Sequence, residues 1–91
     1  MNRVAINKEV SVTALYFHNN GHMKSYPKRM EYNGHEYTFI ESGLRFLVQK
    51  GHQLTQIFDM TDGSTNYRLK FNDREQLWTL IDMTESPRAF A

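Results

Sequence analysis

Met30-Glu31-Tyr32-Asn33-Gly34-His35-Glu36-Tyr37-Thr38-Phe39 is the stretch on which the fold turns. A two-residue hairpin loop of type I′ needs positive φ at both central positions, and Asn-Gly accepts that conformation at little cost. The flanks are β-forming and alternate. Met30 and Tyr32 share one face of the first arm, Tyr37 and Phe39 one face of the second, so the hairpin presents an apolar side to a core. Glu31 and Glu36 flank the turn and are expected to sit across from one another as a solvated polar edge, although carboxylates among Glu31, Glu36 and Glu41 could also supply an acid–base pair.

The same period of two continues on either side. Upstream, Val10, Val12, Ala14 and Tyr16 alternate with Ser11, Thr13, Leu15 and Phe17, which predicts a strand. Asn19-Asn20-Gly21 supplies a turn, His22–Tyr26 is polar enough to predict a loop, and Pro27 pushes Tyr26 to an extended conformation. Downstream, Glu41–Gly51 can be read two ways. As a strand, Leu44, Phe46 and Val48 alternate with Arg45, Leu47 and Gln49, with Gly43 as a bulge. As a short helix near 40–50, Ile40, Gly43, Leu44, Leu47 and Val48 form a stripe that ends at Gly51. Leu54, Gln56, Phe58 and Met60 then oppose Thr55, Ile57 and Asp59. Asp62-Gly63 is a turn, Tyr67, Leu69 and Phe71 point inward, Asn72–Glu75 is a turn, and Trp78 and Leu80 face the core from the last strand.

About six strands at spacings of about ten residues predict an all-β antiparallel meander, barrel-like or strongly bent. Its 91 residues are one domain's worth, 1–91, with an ordered core expected over 9–83 and a frayed tail over 84–91.

Composition removes several classes of function. Eleven Lys and Arg stand against ten Asp and Glu, a net charge of +1, without the basic excess that a strong nucleic-acid binder uses to neutralise phosphates. Residues 1–54 carry seven basic and four acidic side chains, residues 55–91 four and six. No cysteine is present, so disulfides and thiolate metal sites are excluded. With no apolar leader and no long apolar run, a cytoplasmic, membrane-free setting is expected. His18 and His22 have a metal-ligand spacing only on a helix, and here they straddle a turn; with His35 and His52 they are expected to be solvated, and neither a metal nor a cofactor is expected. Asp59, Asp62 and Asp73 lie where turns favour Asp for backbone reasons. A Ser/His/Asp signature and a Gly-rich phosphate loop are both missing, so the chain does not read as an enzyme.

Tyr26-Pro27-Lys28-Arg29-Met30-Glu31-Tyr32-Asn33-Gly34-His35-Glu36-Tyr37, followed by the Asp-Gly turn, Tyr67-x-Leu69 and Trp78-x-Leu80, resembles small bacterial all-β domains of unknown function. Those domains are found alone or appended to error-prone DNA polymerase proteins. The resemblance spans residues 26–81. It implies a β fold and a DNA-related context, and carries no catalytic residue. Tyr32 stands where that family typically has Trp.

Five Tyr, six Phe and one Trp are more rings than a core this small readily hides. Phe39, Phe58, Tyr67 and Trp78, with Leu69, are assigned to the core, leaving Tyr16, Phe17, Tyr26, Tyr32 and Phe46 as partly exposed. Tyr26, Lys28, Arg29 and Tyr32 combine two rings and two cations within seven residues, and form the candidate binding surface. Such a patch suits a protein partner or a second copy of the chain. A weak nucleic-acid contact, with stacked bases and neutralised phosphates, is the alternative.

Overall fold

In the computed structural model, which describes residues 3–19 and 22–85, the Asn33-Gly34 turn is formed as the sequence requires. Asn33 and Gly34 both have positive φ, 53° and 76°, and Tyr32 pairs with His35 across the loop. Seven strands among the described residues form one antiparallel sheet: β1 (Arg3–Asn19), β2 (His22–Tyr32), β3 (His35–Thr38), β4 (Glu41–Lys50), β5 (Gln53–Thr61), β6 (Thr65–Asn72) and β7 (Leu77–Glu85). Their order is β3-β2-β1-β7-β6-β5-β4.

Several expectations are corrected. There are seven strands rather than about six, and His22–Tyr26, expected as a loop, is paired with β1 as the start of β2. The polar side chains suggested a loop, but cross-strand hydrogen bonds are made by the backbone and tolerate them. Of the two readings of residues 41–50, the strand is the one formed. The register slips between Ser42 and Arg45, which places a bulge at the Gly43 step. Gly51 (φ 63°) opens the two-residue loop to β5 as the first central residue, the place glycine takes in a type II′ turn. The sheet is not closed, so a barrel is not formed, but it bends enough for Tyr37 of β3 to reach the Tyr67 ring of β6, four places away in the strand order, at 5.6 Å. The last strand runs through Thr84 and Glu85; residues 86–91 and the Asn20-Gly21 turn lie outside the described residues.

The bend has a clear origin. β1 is long enough to belong to two half-sheets: residues 11–19 pair with β2 and residues 3–10 with β7. A register shift between Ala5 and Lys8, with Asn7 at φ 53°, adds local twist to this strand. At the far side, Phe39 and Ile40 alone connect the two sheet edges. The Phe39 amide donates to the Lys28 carbonyl on β2, and the Ile40 amide donates to the Thr61 carbonyl on β5. Two residues span at most about 7 Å, so the edges meet at this corner.

The concave side holds the core: Val10, Met30, Phe39, Phe58, Met60, Tyr67, Leu69, Phe71, Trp78 and Leu80. All five residues assigned to it from sequence are there. Two ring clusters fill it. Trp78 lies against Phe71 and Phe58, with centroids 4.8 and 5.4 Å apart, and Tyr67 lies against Phe39 and Tyr37 at 5.4 and 5.6 Å. Asp62 anchors the β5–β6 turn, accepting hydrogen bonds from the Ser64 and Thr65 amides (3.0 and 2.9 Å) and from the Tyr67 hydroxyl (2.6 Å).

Candidate functional site

The four residues singled out on β2 are separated by a bulge. The pairing with β1 passes from Thr13–Arg29 to Ala14–Pro27, leaving Lys28 as the extra residue. An extra residue inverts the alternation, and Pro27 and Met30, three apart, are both buried. Tyr32 packs against the core. Tyr26 is half-buried, with the Arg45 guanidinium 5.8 Å above its ring. Lys28 and Arg29 are exposed, and Arg29 Nε donates to Thr13 Oγ1 at 3.4 Å. Both rings thus have contacts elsewhere, Tyr32 with the core and Tyr26 with Arg45, while the two cations remain on the surface. Glu31 and Glu36 are paired and exposed, as expected of a solvated hairpin edge. Of the remaining rings, Tyr16 and Phe46 are exposed; the Phe17 side chain is outside the described set.

A different surface stands out on β4. Phe46, Leu47 and Val48 are consecutive and 39%, 60% and 45% exposed. Among the described residues β4 pairs with β5 alone, so its other edge carries an open row of backbone donors and acceptors. Three bulky apolar residues in a row must occupy both faces of a strand. The faces are held differently. On the core side, Arg45 sits opposite Phe58, its guanidinium 5.3 Å from that ring and 5.8 Å from Tyr26, and Nη2 donates to Gln56 Oε1 at 2.8 Å. On the outer side, Phe46 is opposite Ile57, which is buried although it lies outside the main core. The Arg68 guanidinium lies 5.6 Å from the Phe46 ring. Arg68 is itself held by two bonds to Asp59, at 2.8 and 3.0 Å, and these bonds favour its charged form. Two arginines therefore brace the strand, one on each face, while Leu47, on the same face as Arg45, is 60% exposed.

Sequence reading marked Phe46 as an exposed ring but passed over the edge it belongs to. The available signal was the Phe46-Leu47-Val48 run, too apolar for a strand with one solvated face. Elsewhere, an open groove of about 340 Å³ lies between β1 and the β2–β3 turn, lined by Lys8, Glu9, Ser11, Glu31, Tyr32 and Asn33. Among the described residues no three His, Asp or Glu side chains converge as metal ligands would, and no helix is long and apolar enough to cross a membrane.

No protein-family model, curated protein or solved structure matches the chain.

Proposed function

We propose that the chain is a non-catalytic β module that binds protein, another chain or its own copy, through the open edge of β4. The observation that carries this reading is the exposed Phe46-Leu47-Val48 run on an end strand ten residues long. An extended segment can add to such an edge by main-chain hydrogen bonds, while alternate side chains supply specificity. The bracing of β4 by Arg45 and Arg68 supports it further, because an edge already ordered loses less entropy on binding. A cytoplasmic setting is supported by the lack of cysteine.

A photo-reactive residue in place of Leu47, activated in cells, tests the reading. Adducts of protein mass are expected at position 47 and not at Glu36 on β3. Adducts confined to Glu36, or none at either position, would overturn it. The exposed pair Lys28 and Arg29 marks where the nucleic-acid alternative would act. That alternative requires adducts to nucleic acid from position 28 and binding that weakens steeply with salt.

A further inference from the structure

We infer that the occupant of the β4 edge is a second copy of this chain, joined antiparallel through β4 with Leu47 on the two-fold axis, so that two seven-stranded sheets become one. The inference rests on the docking reading above and names its partner.

Symmetry limits the choices. Two identical strands paired antiparallel are related by a two-fold axis through a residue that faces itself, and each contact then occurs twice. Charge and the bulge select among the remaining registers. An axis at Arg45 sets two guanidinium groups face to face. An axis at Phe46 runs the pairing back into the Gly43 bulge, where β4 is irregular. An axis at Val48 sets Lys50 against Phe46 and shortens the ladder. An axis at Leu47 uses the regular stretch from Arg45 onward. Leu47 then faces Leu47 of the second copy, Phe46 faces Val48, and Arg45 faces Gln49. An aromatic ring against a β-branched residue is a favourable cross-strand pair, and no like charges are opposed. Residues 46–49 contain no charged side chain, and a net charge of +1 gives two copies little reason to repel one another.

The register makes a sharp chemical prediction. Directly opposed residues in an antiparallel pair have Cα atoms about 4.5–5.5 Å apart, within the span a disulfide accepts, about 4.4–6.8 Å. The natural chain has no cysteine, so single substitutions report without background. Leu47→Cys, Phe46→Cys, Val48→Cys and, as an exposed control, Tyr16→Cys are oxidised in parallel with a copper catalyst. Sedimentation equilibrium of the unmodified chain and of Leu47→Lys is run from micromolar to millimolar concentration.

The expected result is a concentration-dependent dimer, the fastest disulfide at position 47, and a dissociation constant raised about tenfold or more by Leu47→Lys, which opposes two ammonium groups at the axis. A chain that stays monomeric throughout overturns the inference. So does a dimer that cross-links faster through position 46, 48 or 16, or one indifferent to Leu47→Lys. If the photo-reactive chain meanwhile forms adducts to a foreign protein, the docking reading stands and the second copy is the wrong occupant.

Discussion

The two edges of this sheet are built to opposite rules. β3 is four residues long, its His35, Glu36 and Thr38 are exposed, and Tyr37 turns towards the core. A short polar edge offers little for another chain to pair with. β4 has ten residues and exposes Phe46, Leu47 and Val48. The Phe39-Ile40 step joins them: after four residues the chain leaves one edge and crosses to the other, which truncates β3 and starts β4 against β5. One connection therefore sets both how closed the first edge is and how available the second becomes. A long, apolar, uncovered edge is a template for pairing with another chain.

The largest expected effect tests whether the edges share one support. Trp78 lies beneath Phe58, which carries Arg45 of β4, and Trp78→Ala should cost about 3–5 kcal/mol. A domain of this size has only ~5–15 kcal/mol in total, so urea unfolding should find the variant unfolded or barely stable, with both edges lost together. Loss of amide protection on β4 alone would instead show that the edges are separable units.

Gly34→Val and Gly51→Val sharpen the contrast turn by turn. Neither position has a heavy atom within 4 Å of the added Cβ, so the penalty comes from positive φ, on the order of 1–3 kcal/mol each. Hydrogen exchange should show Gly34→Val loosening β3 while β4 holds, and Gly51→Val the reverse.

Acid should reach the β3 side first. Burial raises the Asp62 pKa, but hydrogen bonds from the Tyr67 hydroxyl and the Ser64 and Thr65 groups outweigh it, and the net shift is downward. Tyr67 in turn is shifted upward, first by burial and then by its bond to Asp62. A carboxylate with a lowered folded pKa stabilises the fold above its unfolded value, about 3.9, and that contribution disappears as pH falls through the folded pKa. The melting temperature should thus drop below about pH 4, and Asp62→Asn should flatten that limb. Because Tyr67 packs on Phe39 and Tyr37, nuclear magnetic resonance should see these rings shift before those around Trp78.

The smallest effect is on stability from the edges themselves. Leu47→Lys and Thr38→Lys replace exposed side chains and should move the melting temperature of the monomer little, within ~0.5 kcal/mol. Only Leu47→Lys should alter association, read by sedimentation.

Much of the local structure is legible in the residues. Asn33-Gly34 specifies its turn because few other pairs tolerate positive φ twice, and the alternation around Tyr67, Leu69, Phe71, Trp78 and Leu80 marks the core because a strand has only two faces. These are properties of near neighbours along the chain. The strand identity of residues 41–50 was open, since a short apolar run fits both periods until β5 pairs with it. The separate surroundings of Tyr26 and Tyr32 depend on the Lys28 bulge, which exists only in the pairing with β1. That Phe46, Leu47 and Val48 lie on an edge follows from strand order: β1 bonds to β7 through residues distant in sequence, and the two-residue crossing at Phe39-Ile40 leaves β4 last. Strand order is a matter of long-range pairing, and no local propensity encodes which strand is left without a neighbour.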